Sequence, residues 1–316
     1  MHPAFSVIIF TTLSGAGYGL LAWLGIYAAL GMLPADRAVG AVSLALALGS
    51  ITVGLLSSTL HLGHPERAWR AFSQWRSSWL AREGIAAVAT YAPALIFGIG
   101  WVVFGRTSGP WALVGLVTAV GALITVICTA LIYQSLKPIQ RWNNSWVLPN
   151  YLALAAMTGA LWLDAVTQPS GFARVNSAIL AIVTISIALV LKLGYWRFID
   201  RSESVSTAES ATGLGHLGAV RLFEAPHTSE NYLMKEMGFR IARKHAKKLR
   251  QIALLLGYAI PFVLSLIALA LPGLIAAAAS ILAAVLAMLG VLIERWLFFA
   301  EAKHTVTLYY GGDQNI

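Results

Sequence analysis

The sequence predicts an all-α integral membrane protein of eight transmembrane helices, arranged as two four-helix halves. Three observations carry this. Of the 316 residues 58% are hydrophobic and 11% charged, with a mean hydropathy of +0.74, which excludes a water-soluble globular domain. Apolar runs of about 20 residues, enough to cross a hydrocarbon layer of roughly 30 Å, recur along the chain. None alternates in polarity, so each must satisfy its backbone polar groups as a helix rather than as a barrel strand.

The runs lie near 4–30, 38–60, 80–104, 111–134, 147–166, 175–196, 251–271 and 273–297. The first is too long for a signal-peptide core and no basic residue precedes it, so it is expected to stay in the protein. Its "TTLSGAGYG" sets Gly15 and Gly19 in GxxxG spacing, which predicts close helix packing. Pro93 and Pro261 are expected to kink spans three and seven. In span four Cys128 is the single cysteine; it is read as a small buried apolar residue and leaves no Cys-based disulfide, metal or iron–sulfur site in this chain. Trp101, Trp111, Trp142, Trp146, Trp196 and Trp296 flank span ends, as an interfacial aromatic belt would. The organisation is then 1–196 (spans one to six, with a polar loop at 61–83), 197–250 (a soluble loop) and 251–316 (spans seven and eight and a tail).

Lys and Arg in the connectors set orientation. Those after spans one, three, five and seven hold only Arg37, Arg106 and Arg174 of the 22 basic residues. An even number of spans puts both termini with the remainder, so both are expected in the cytoplasm. The net charge of +9 is thereby accounted for by lipid and topology, and nucleic-acid binding is not expected.

In the soluble loop, Gly213, Gly215 and Gly218 have the spacing of a dinucleotide fingerprint, but no strand precedes them, so a turn is expected. The following "HTSENYLMKEMGFRIARKHAKKLR" predicts a basic amphipathic helix N-capped by Ser229, with Leu233, Met237 and Ile241 as its apolar stripe. Anionic lipid and a partner protein are equally good occupants of such a helix.

All seven histidines fall at chain ends, in connectors or at span boundaries; none is placed inside the bundle as an axial ligand, so no haem is expected. Of the carboxylates, Glu83 begins span three, Asp164 ends span five and Glu294 nears the end of span eight. The midplane therefore reads as nearly neutral, and chemistry is expected at an interface.

One interface is crowded with polar groups. "SSTLHLGHPERAWRAF" (57–72) is followed by "SSWLAREG" (77–84) at the start of span three. Reducing a quinone takes two electrons and two protons, so its site needs donors at the headgroup and proton carriers reaching water. His61 can donate to a carbonyl and exchange a proton near neutral pH. Arg67 can stabilise negative charge building on the headgroup, and Glu83 can relay protons. Arg and His at a cytoplasmic span end also serve as topology determinants, and a carboxylate at a helix start also favours the helix dipole; the residues alone leave both readings open. His64 and Glu66 are read as solvated.

Those two stretches, with "HPAFSVIIFTTLSGAGYGLL", "ENYLMKEMGFRIARKHAKKLR" and "ERWLFFAEAKHTVTLYYGG", resemble the dimethyl sulfoxide reductase anchor subunit (DmsC) family over nearly the whole chain. Within it they look most like the anchors of cytoplasm-facing sulfite dehydrogenases. The resemblance implies a haem-free, eight-helix anchor in the bacterial inner membrane, with an iron–sulfur (ferredoxin-like) subunit and a molybdopterin catalytic subunit as partners. It implies ubiquinone or menaquinone as exchangeable substrate, with no iron–sulfur cluster or molybdenum in this chain. It carries quinone-site roles onto His61, Gly63, Arg67 and Glu83; Gly63 would let backbone approach the headgroup. Dimethyl sulfoxide reductase anchors are described with outward termini, whereas the basic residues here argue for the reverse, which suits the sulfite branch. The alternatives are an anchor of a dimethyl sulfoxide reductase-like complex that oxidises quinol, a partner-independent secondary transporter, and a tether that binds no quinone.

Overall fold

The computed structural model describes residues 5–60, 62–202, 206–221, 223–224, 240–305 and 308. Among them every regular element is helical: α1 (Phe5–Ala29), α2 (Arg37–Thr59), α3 (Trp79–Gly98), α4 (Pro110–Gln134), α5 (Val147–Ser170), α6 (Arg174–Arg201), the short α7 (Ala208–Thr212) and α8 (Arg240–Lys244), then α9 (Ala246–Leu254), α10 (Ile260–Ala270) and α11 (Leu274–Ala300). A π turn at Ile99–Val103 extends α3, and another at Leu255–Ala259 joins α9 to α10 as one rod. The second lies just before Pro261, whose ring would clash with the carbonyl four residues back, that of Gly257; the wider turn relieves it.

Local chemistry marks the ends. Asp36 caps α2 by accepting from the amides of Ala38 at 2.7 Å and Val39 at 3.0 Å, and Ser78 caps α3 by accepting from Ala81 N–H at 3.4 Å, each satisfying amides that lack a helical partner. Pro110 opens α4 as its first residue, where its missing N–H costs nothing. Gly171, at φ 70°, ends α5 in the left-handed conformation that favours glycine.

Among the described residues seven rods are long and apolar enough to cross a membrane: α1, α2, α3 with its π turn, α4, α6, α9–α10 and α11. The 24-residue α5 is long enough but more polar, and sixteen of its residues are buried among its neighbours, where apolarity toward lipid is not required. In one group α1 packs on α2 and α4, and α4 on α3; in the other α5, α6, α10 and α11 close a ring; α1 on α5 joins the two.

Lipid gives helices no hydrophobic reason to associate, so small residues permit the close approaches. A Cβ on Gly19 would sit 1.8 Å from the Ala155 carbonyl oxygen, and one on Gly290 would sit 2.2 Å from the Gly257 nitrogen. Gly15, the other half of the GxxxG pair, has nothing within 4 Å of such a Cβ. The predicted pair therefore packs through one member only.

Several expectations are corrected. Helix α6 runs to Arg201 and the seventh rod starts at Ala246, so helix extends into the 197–250 segment from both sides. Its glycines form the expected turn, Gly213 ending α7 at φ 71°. Ser229, Leu233 and Met237 lie outside the described residues, as do His2 and His61. Trp101, Trp142 and Trp196 are buried and so belong to the protein interior, not to a lipid-facing belt; Trp101 and Trp142 donate to the carbonyls of Pro34 and Phe298. Cys128 is buried, as its type suggests.

Candidate functional site

Helix α2 stops at Thr59, and residues 62–64 form an exposed loop leading into a 3₁₀ helix, Pro65–Gln74. Gly63 is exposed, with open space where a side chain would sit. His64 Nδ1 lies 3.0 Å from Glu66 Oε1, and Arg67 Nε lies 3.5 Å from the same oxygen. Arg67 stays 58% exposed, so its guanidinium is largely hydrated and open to an anionic group.

This strap is tied to α3. Arg82 donates from Nε to the Trp75 carbonyl at 2.8 Å and from Nη2 to the Arg76 carbonyl at 2.7 Å, while its guanidinium stacks 4.2 Å from the Trp79 ring centroid. Phe72 packs where Gly84 leaves room: a Cβ there would meet its ring at 2.6 Å. The strap carrying Arg67 is thereby held beside the turn that carries Glu83. Trp69 and Trp75, both exposed, give it an apolar rim suited to a bilayer interface.

Glu83 is the fifth residue of α3, beyond its first turn, and only 4% exposed. Its carboxyl turns inward, where Oε1 accepts from the Thr129 hydroxyl of α4. A carboxylate serving the helix dipole belongs in the first turn and faces water; this one does neither. Arg67 and Glu83 are not paired with each other, since Arg67 contacts Glu66.

A second polar centre lies deeper. Lys192 of α6 and Arg295 of α11 both contact Glu294, Arg295 Nε at 2.6 Å and Lys192 through Nζ, and all three side chains are at most 2% exposed. Glu294 is six residues from the end of α11, about 9 Å at 1.5 Å per residue, toward the span end where the sequence places it. Asp164, expected at a span end, is also buried, accepting from Gln168 Nε2 at 2.9 Å and from the Ser177 hydroxyl at 2.8 Å. The sequence reading misses Lys192 and Thr129. A lysine inside an apolar run is itself a signal, but its partner lies 102 positions away; nothing local marks Thr129.

Toward the C-terminal end of α11, Arg250 bridges Asp200 at 2.6 Å and Glu301 at 2.8 Å. Arg243 donates to the carbonyls of Ala300 and Ala302, and Arg141 donates to that of Glu301. Burial raises the Glu301 carboxyl above the usual range, against the pull of Arg250, and burial lowers the Arg243 guanidinium. Among the described residues no three His, Cys, Asp or Glu side chains cluster as a metal site.

A family model described as "DMSO reductase anchor subunit (DmsC)" matches residues 1–311. The chain belongs to the DmsC anchor-subunit family. A sulfite dehydrogenase subunit from Allochromatium vinosum is similar to it, 34% identical over 331 aligned positions that cover 98% of this chain and 99% of that protein. Membership of DmsC, with the apolar rods, makes this a multi-pass membrane protein and an anchor in an oxidoreductase complex, which implies partner catalytic subunits.

Proposed function

We propose that this anchor passes electrons between a partner iron–sulfur subunit and the membrane quinone pool, in a complex whose molybdopterin subunit oxidises sulfite to sulfate. The observation that carries the reading is the buried Glu83 carboxyl, bonded to Thr129, in the turn of α3 to which the strap with its exposed Arg67 is tied. A quinone lying in lipid beside α2 and α3 would meet, at one corner, a cation for its headgroup and a carboxyl able to carry protons inward from water. His61 supplies a donor near neutral pH, Arg67 offsets charge on the reduced headgroup, Gly63 leaves room for approach, and Glu83 relays protons.

In this reading α5 is the eighth crossing. At 24 residues it is about 36 Å long. Both termini, the strap and the iron–sulfur partner then share the cytoplasmic side of the bacterial inner membrane, where most of the basic residues lie. Sulfite as the partner's substrate is supported by the whole-length similarity to a sulfite dehydrogenase subunit. The test is turnover of the assembled complex: His61→Ala or Arg67→Ala abolishes sulfite-driven quinone reduction and leaves sulfite-driven reduction of a soluble dye. Loss of both activities in a normally assembled complex contradicts the site.

A further inference from the structure

A small cavity lies between α1, α4, α5 and α11. Four of the polar atoms on its lining residues lie more than 3.5 Å from any hydrogen-bond partner in the protein: Thr12 Oγ1, Tyr18 Oη, Tyr151 Oη and Arg295 Nη2, with Thr125 facing Tyr18 and Arg295 facing Tyr151 at longer range. Their residues are 2%, 2%, 6% and 2% exposed. Leaving one such group without a partner in a dry interior is costly; collecting four around one cavity is a feature to explain. The cavity also reaches Thr129, the residue that donates to Glu83. Gly15, which lines it, has open space where a side chain would sit, so the GxxxG residue that makes no close helix contact instead leaves room in this cavity.

Size and chemistry choose the occupant. The free volume is about 20 Å³, against the roughly 10–15 Å³ one water requires, and a held water needs two to four polar partners. Arg295 adds direction: the buried group of Lys192, Arg295 and Glu294 carries two cationic side chains against one carboxylate, and the guanidinium's spare N–H favours the oxygen of a dipole.

We propose that this cavity is a built site for ordered water, which accepts from Arg295 and the phenols and links them, through Thr129, to Glu83. Glu83 thus has a polar contact on the side away from the strap, and Thr129 is its positioning residue. The water site rests on the geometry alone; its effect on turnover rests on the quinone reading.

A cryo-EM structure of the full chain in nanodiscs, at a resolution that shows water, tests the site directly. Density within hydrogen-bond distance of at least two of the four atoms is expected, and a dry cavity overturns the proposal. Stability gives a second readout. Thr12→Val removes a useful hydroxyl from a wet cavity and lowers Tm by a few degrees; in a dry one it removes an unpaired hydroxyl and leaves Tm unchanged or raised, which also overturns it. In the complex, Thr129→Val is expected to lower the kcat of quinone reduction several-fold with KM unchanged, and Thr129→Ser to restore it. Equal kcat in all three overturns the link to Glu83. Absence of quinone reduction already in the wild-type complex defeats the quinone reading instead, and the density then decides the water site by itself.

Discussion

Lys192 on α6 and Glu294 on α11 form an ion pair with both side chains 1% exposed, and Arg295 completes the group on the other carboxylate oxygen. Two cations on one carboxylate make the two ways of breaking it unequal. Lys192→Met leaves Glu294 and Arg295 as a balanced pair, whereas Glu294→Gln leaves two buried cations facing each other. Removing one partner of a buried pair costs about 3–5 kcal/mol. Glu294→Gln is therefore expected at or beyond that range and Lys192→Met below it, read as Tm of the purified chain; the reverse order contradicts the charge count.

Helix packing gives a sharper contrast within one motif. Gly19→Ala forces a Cβ against the Ala155 carbonyl and should cost about 1–3 kcal/mol, as overpacking does. Gly15→Ala meets no protein atom within 4 Å and escapes that overpacking, so its cost is limited to the room it takes from the adjoining cavity and is the smaller of the two. Equal losses at the two positions, measured by thermal unfolding in the same detergent, contradict the α1–α5 contact.

The two glycines also show what a sequence reveals and what it conceals. GxxxG spacing is visible in the chain, yet which glycine meets a neighbour depends on the position of α5, more than 130 residues away. Span positions were legible because lipid demands long apolar runs; ends were less so, since α6 continues through Trp196 into charged residues that sit over the soluble face. Glu83 could be singled out as a carboxylate at a span start. Its inward turn onto Thr129 could not, because a threonine in an apolar helix bonds its own backbone just as well, and Thr129 does that too, at 3.0 Å from the Thr125 carbonyl. The ion pair at Lys192 is hidden for the same reason as the glycine contact.

Glu301 should leave a pH signature. Burial raises its carboxyl above the usual carboxylate range, so the folded chain binds a proton more readily than the unfolded one. Its contribution is complete below the unfolded value and is lost as pH rises through the folded value. Melting curves from roughly pH 4 to pH 7 should show a fall in stability with rising pH that Glu301→Gln reduces. An unchanged slope in that variant means that another group carries the dependence.

Topology is checked at the ends. With α5 as a crossing, a reporter fused to either terminus is expected on the cytoplasmic side, and one inserted in the connector between α5 and α6, near Gly171, on the outer side. Termini on opposite sides would mean that α5 does not cross.

The central claim is that quinone is held where the ends of α2 and α3 meet the strap. A photoreactive azidoquinone, activated on the assembled complex and mapped by peptide mass spectrometry, tests it most directly. Label in residues 60–84, lost when Glu83→Gln or Arg67→Ala is introduced, is the predicted result; label confined to any other part of the chain, or to a partner subunit, contradicts it.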